Sequence, residues 1–242
     1  MRLDKYISAC GAATRSEVKR LVKAGAVEVD GVVAKAADMR VDENTVRVCI
    51  SGVELRYMEF VYLMLNKPQG YISATFDKHY PVVTELVPEE YAHLKVFPVG
   101  RLDIDTEGLL ILTNDGQFDH EVTSPKKNVY KRYFARLDLP AEEADVAEFA
   151  KGMEFADFAA KPAKLEICDD PHEVFVEIAE GKFHQVKRMC AKVGKNVLYL
   201  RRDAIGALRL DDALALGEVR EISADEARLA LRSNEALIGG AE

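Results

Sequence analysis

Val18, Leu21 and Val22 recur at helical spacing behind Thr14-Arg15-Ser16-Glu17, which has the Thr/Ser-x-x-Glu form of a capping box, and the pattern stops at Gly25. The spacing predicts a short helix from Thr14 to Ala24. Val27-Glu28-Val29 and Val32-Val33 then flank Asp30-Gly31, and an Asp-Gly pair between alternating runs predicts a type I′ hairpin. With Leu3 and Ile7 ahead of the helix, residues 1–50 read as a small domain with a thin core. Ser51-Gly52 is a turn signal, and the charged stretch after it, 51–60, reads as a linker before the apolar run Phe60 to Leu65. Strand patterns follow at Val96 to Val99, Leu109 to Thr113, Tyr130 to Leu137, Ala163 to Cys168 and Glu173 to Ile178. Helical patterns fall at Ala141 to Lys151, Phe183 to Val193 and Ala224 to Arg232. Strands in succession with few intervening helices predict an α+β domain at 61–233, on a large, mostly antiparallel mixed sheet flanked by helices, and a tail at 234–242.

Composition narrows the classes. The 242 residues are 48% apolar and 31% charged, enough for a full core and a second small one. The 33 basic and 41 acidic residues give a net charge of −8, so a polyanion partner requires a local basic island, not the global field. Such an island is present: the first predicted helix carries Arg15, Lys19, Arg20 and Lys23, with Arg2 and Lys5 just before it. No run approaches the roughly 18 apolar residues of a membrane span, and the start has no apolar signal core, so a soluble, cytoplasmic chain is expected. Cys10, Cys49, Cys168 and Cys190 lie far apart without metal-ligand spacing, so neither a metal nor a disulfide is expected.

The chemistry concentrates in three segments. Gly100-Arg101-Leu102-Asp103-Ile104-Asp105-Thr106-Glu107-Gly108 sets three alternate acids in a loop between two apolar strands, where a carboxylate can be held rigidly. Acids so close repel one another, so at least one requires a cationic partner. From residues alone a polar turn with an acidic rim is the readier reading of this loop. Lys126 to Arg136 carries five basic residues interleaved with aromatics and no acid, a mixture suited to phosphates and unstacked bases. In Gly181-Lys182-Phe183-His184-Gln185-Val186-Lys187-Arg188-Met189-Cys190, helical spacing puts Phe183, Val186, Met189 and Cys190 on one apolar face. Lys187 falls at the edge of that face and Arg188 nearly opposite. His184 lacks an accompanying nucleophile motif and reads as a structural histidine.

Two resemblances connect these segments. Arg2-Leu3-Asp4-Lys5-Tyr6-Ile7, Thr14-Arg15-Ser16-Glu17 and Gly25-Ala26-Val27-Glu28-Val29-Asp30-Gly31 resemble the alpha-L RNA-binding motif of a small-subunit ribosomal protein, tyrosyl-tRNA synthetases and RNA-modifying enzymes. Gly100 to Gly116, in the form Gly-Arg-Leu-Asp-x-x-Thr-x-Gly-Leu-Leu-Ile-Leu-Thr-Asn-Asp-Gly, resembles the active-site loop of pseudouridine synthases. Leu65-Asn66-Lys67-Pro68-Gln69-Gly70-Tyr71 is similar to that family's strand-to-turn motif. Gly-Arg-Leu-Asp-Ile-Asp-Thr and Gly-Lys-Phe-His-Gln-Val-Lys-Arg-Met bring the chain nearest to the 16S rRNA subfamily.

The resemblance implies an RNA-modifying isomerase without a cofactor. Asp103 would be the catalytic aspartate, and attack on the sugar, attack on the uracil and action as a base are all compatible with it. Tyr133, of the Lys131-x-Tyr element, would pack on the target base, although a strand tyrosine is as often core. Lys187 would be the cationic partner of Asp103, with Arg188 on phosphate, and a swap of these two roles stays open. Arg101 would point into the RNA, the alternative being a loop salt bridge, and Lys131 would also contact RNA. Arg2, Lys5, Arg15, Lys19 and Arg20 would add affinity from the first domain. The implied partner is small-subunit ribosomal RNA or an assembling particle, bound by a monomer away from membranes. A non-catalytic ribosome assembly factor is the alternative function.

Overall fold

The computed structural model describes residues 1–232; the expected tail at 234–242 lies outside them. The described residues form two compact units, 1–60 with 88–95, and 61–87 with the chain from 96 onward. In the first, helix α1 (Leu3–Ala9) and helix α2 (Arg15–Lys23) precede strands β1 (Val27–Val29), β2 (Val32–Val33), β3 (Val48–Ile50) and β4 (Val53–Glu54). The α2 capping box forms: the Thr14 side chain accepts from Glu17 N, and the Glu17 carboxylate accepts from Thr14 N at 2.8 Å. Asp30 and Gly31 both take positive φ, 53° and 79°, as the type I′ turn requires. Leu3, Tyr6, Ile7, Val18, Val22, Val27 and Val48 close the core. Ser51-Gly52, expected to open a linker, instead joins β3 to β4 within this sheet, ordered β2-β1-β3-β4.

The second unit contains β5 (Tyr62–Lys67), β6 (Phe97–Pro98), β7 (Glu107–Thr113), helix α3 (Gly116–Thr123), β8 (Lys131–Leu137), helix α4 (Glu143–Lys151), β9 (Met153–Glu154) and β10 (Ala159–Ala160). These are followed by β11 (Lys164–Ile167), β12 (Glu173–Ile178), helix α5 (Gln185–Lys192), β13 (Val197–Ile205), β14 (Leu208–Arg209), β15 (Val219–Ile222) and helix α6 (Ala224–Arg228). A nine-stranded sheet runs β11-β12-β8-β13-β7-β5-β15, with β14 beside β13 and β6 beside β7. It is the expected mixed sheet: every pairing is antiparallel except β13 with β7. At that parallel seam Arg202 lies opposite Gly108. A Cβ on Gly108 would sit 2.3 Å from the Arg202 carbonyl oxygen, and its φ is +100°, so only glycine permits the two strands to meet.

On one side of the sheet Met64, Leu109, Ile111, Phe118, Val122, Ile205 and Ala227 share a core. Asp115 caps α3, accepting from Gln117 N and Phe118 N. The last helix is shorter than its sequence pattern, because after Arg228 the chain tightens into a 3-10 turn over Leu229–Leu231. Among the described residues, no helix is long and apolar enough to cross a membrane, and no group of three or more His, Cys, Asp or Glu could hold a metal ion. The four cysteines are free thiols.

Candidate active site

The loop 100–106 joins β6 to β7, and its backbone is tied down from several directions. Ser73 Oγ donates to Leu102 O and accepts from Leu102 N, both at 3.0 Å. Gly70 N donates to Ile104 O at 2.8 Å, and Thr106 N to Asp103 O at 3.1 Å. The firmest tie is Lys67, at the end of β5. Its side chain is fully buried, and Nζ donates to Pro68 O (3.1 Å), Asp103 O (3.0 Å) and Thr106 O (2.9 Å). Three carbonyls receive its three protons, which offsets part of the cost of dehydrating an ammonium. Burial still lowers its pKa to about 8, against the pull of Asp105, Asp103 and Glu107. In the sequence Lys67 stands only in a turn motif, with one local hint: a lysine one residue beyond the apolar run Phe60 to Leu65 and just before a proline.

Asp103 leaves this fixed backbone with its carboxylate facing α5. Lys187 Nζ lies 3.2 Å from Asp103 Oδ2 and 2.6 Å from Asp105 Oδ1. The expected cation therefore serves both acids, and the second, given no role from sequence, is its shorter contact. Burial pushes the Asp105 carboxyl up, but the hydrogen bond and charge of Lys187 outweigh it, leaving the group below the usual carboxylate range. His184 Nε2 stands 3.7 Å from Asp103 Oδ1. Nothing local in the sequence brings His184 to the acid; a left-handed backbone at that residue (φ 52°, ψ 31°), just before α5, turns its ring toward the loop.

Asp103, Tyr133 and Lys187, drawn from a loop, a strand and a helix, line one open cleft, together with Arg101, His184 and Leu200. Tyr133 is buried in its wall. Arg101 is exposed and makes no ion pair among the described residues, which removes the loop salt bridge considered for it.

Other expected contacts are redirected. Lys131 does not reach outward: its Nζ donates to Val129 O at 2.8 Å, and burial, followed by the charge of Arg202, lowers its pKa to about 8. Arg188 is held by both oxygens of Asp157, at 3.0 and 2.5 Å, and lies over the rings of Phe155 and Phe158, so it is not a free phosphate ligand. The basic and aromatic segment splits by strand alternation: Tyr133 faces the cleft, whereas Arg132 pairs with Glu177 (2.5 Å) over the Phe175 ring and Arg136 pairs with Glu173. Phe183 leaves the apolar face predicted for it, because α5 starts two residues later; it is 69% exposed.

In the first unit Lys5, Arg15 and Lys19 are exposed and without ion pairs among the described residues. Arg20 stands 3.7 Å from Glu17, and Arg2 is paired with the buried Asp4 at 2.8 Å.

A sequence profile described as RNA pseudouridylate synthase matches residues 61–192, and one described as S4 domain matches residues 1–46. The chain is also 45% identical over 233 residues to an uncharacterized RNA pseudouridine synthase of Bacillus subtilis, covering 95% of this chain and 98% of that one. The chain belongs to the RNA pseudouridylate synthase family. The synthase is 41% identical over 230 residues to ribosomal small subunit pseudouridine synthase A of Yersinia pestis, covering 93% and 96% of the two chains. The Escherichia coli protein of that name is 40% identical over 230 residues, covering 93% and 98%. A crystal structure of a pseudouridylate synthase superposes on the synthase with a TM-score of 0.67 at 37% identity, covering 95% of this chain and 99% of that one.

Proposed function

We propose that the protein converts one uridine of small-subunit ribosomal RNA to pseudouridine, acting as a cytoplasmic monomer on the RNA or on an assembling particle. The observation that carries this reading is the meeting of Asp103, Tyr133 and Lys187 in one cleft from three separate elements. In the reaction the bond between uracil N1 and C1′ breaks, the uracil turns, and C5 bonds to C1′; C5 loses a proton and N1 gains one. No atom or electron is added overall, so no cofactor is required.

The uridine must leave its stack to reach the cleft, at a cost of a few kcal/mol. Tyr133 packs against the extruded uracil, and Arg101, free of acid partners, enters the space it vacates or meets a phosphate. Asp103 is the catalytic carboxylate. Lys187, with Asp105 as its second partner, holds Asp103 in place, and Lys67 fixes the backbone from which Asp103 projects. The exposed cations Lys5, Arg15, Lys19 and Arg20 add sequence-independent affinity through phosphates.

The test is incubation of the purified chain with unmodified small-subunit ribosomal RNA, free and in partly assembled particles, followed by chemical mapping of pseudouridine. One new pseudouridine, absent with Asp103→Asn, is the expected result. Tight binding of both substrates with no modification would overturn the reading in favour of an assembly factor.

A further inference from the structure

Phe183 is the unexplained residue at the cleft. Its ring lies almost parallel to that of His184, with centroids 3.8 Å apart and 17° between planes, and the side chain is 69% exposed. Aromatic side chains usually prefer offset or edge-to-face packing at larger separations; here the left-handed turn at His184 imposes a face-to-face pair. The pair is a two-ring column. His184 ends it at the cleft, 3.7 Å from Asp103, while Phe183 stands between the lining residues Lys182 and His184 with most of its side chain exposed. The flanking charges also point to a ligand class. Arg101 and Lys182 line the same cleft, both are exposed, and neither makes an ion pair among the described residues, whereas Asp103 and Asp105 are already engaged by Lys187. An open aromatic face beside two uncommitted cations and neutralised acids suits a nucleotide: a flat base on the ring, phosphates on the cations.

Resting on the function proposed above, we infer that the outer face of Phe183 stacks on the nucleobase next to the flipped uridine. Extrusion of a base strips its neighbour of a stacking partner, and Phe183 replaces that partner at the edge of the cleft. The ring is then a substrate-binding element that stabilises the opened RNA, and His184 is the support that orients it.

The chain contains no tryptophan, so Phe183→Trp places a single indole at this position. On titration with unmodified small-subunit ribosomal RNA, that indole is expected to be quenched. Phe183→Ala is expected to raise KM roughly 5- to 150-fold, the range of base–aromatic stacking, with a much smaller change in kcat. Phe183→Leu restores little of this, since it fills space without offering a ring. RNA binding without quenching would overturn the inference, as would full rescue of KM by Phe183→Leu, which would reduce the ring to a spacer behind His184. Pseudouridine formed by the native chain is scored in the same reactions. Its absence refutes the proposed function; its presence with an unquenched indole refutes the stacking site alone.

Discussion

The basic residues on α2 and those enclosed in the second unit work under opposite conditions. On α2, Arg15, Lys19 and Lys23 stand in water without acid partners among the described residues, free to act on any anion that approaches. In the second unit Lys67 and Lys131 donate to backbone carbonyls, Lys187 is bound by two carboxylates, and the buried Arg202 donates through Nε to Leu109 O at 2.9 Å. Exposed cations attract at range and are screened by salt, whereas enclosed ones fix the geometry around them and are screened far less. A net charge of −8 therefore coexists with an RNA-directed surface, because neither group of cations is described by the sum.

Removing a cation from each group breaks this comparison in different ways. Lys187→Gln leaves Asp103 and Asp105 facing each other without compensation, and kcat is expected to fall about 100-fold or more in single-turnover measurements. Lys187→Arg, which keeps the charge, returns most of it. Replacing Arg15, Lys19 and Lys23 together by Gln should instead act on affinity, with KM rising about tenfold near 0.1 M salt. The slope of log affinity against log salt should shrink by about 2, as three phosphate contacts imply.

The smallest effect is on stability. Lys67 and Lys131 have folded pKa values of about 8, below the ordinary 10.5, so between those values the unfolded chain binds more protons and stability rises with pH. Tyr62 and Tyr199 act in the other direction. Burial and then hydrogen bonds to Asp115 and Glu107 raise both to about 12, so stability falls once the unfolded tyrosines ionise near 10. Denaturant midpoints should therefore climb from pH 8 to 10 and then decline. Lys131→Met should remove about 2 kcal/mol of the climb.

Features with local causes were legible in the sequence. The α2 capping box, the Asp30-Gly31 hairpin and the bounds of β12 follow from residues a few positions apart. The loop that carries Asp103 and its contact with Lys187 were legible through the motif they resemble. β13 escaped because Arg201-Arg202-Asp203 interrupts its apolar pattern, and the polar groups there find distant or lateral partners: Leu109 O for Arg202 Nε, Asp203 for Arg201, and Glu107 for the neighbouring Tyr199, while Arg202 Nη2 is buried without a partner among the described residues. Lys67 was missed for the same reason, since two of its three acceptors lie 36 and 39 residues away. For Arg188 and Lys131 the sequence identified a cation but not its occupant; Asp157 is 31 residues from Arg188, and the Lys131 ammonium turns back onto Val129.

The burial of Lys67 also sets an order of events during synthesis. Its ammonium finds its three acceptors only when β5, the turn after it and the loop before β7 are all in place. The basic helix α2, by contrast, packs in a core made from the first sixty residues. A chain emerging from the ribosome thus completes its basic helix before the loop that carries Asp103 can be drawn in around one lysine.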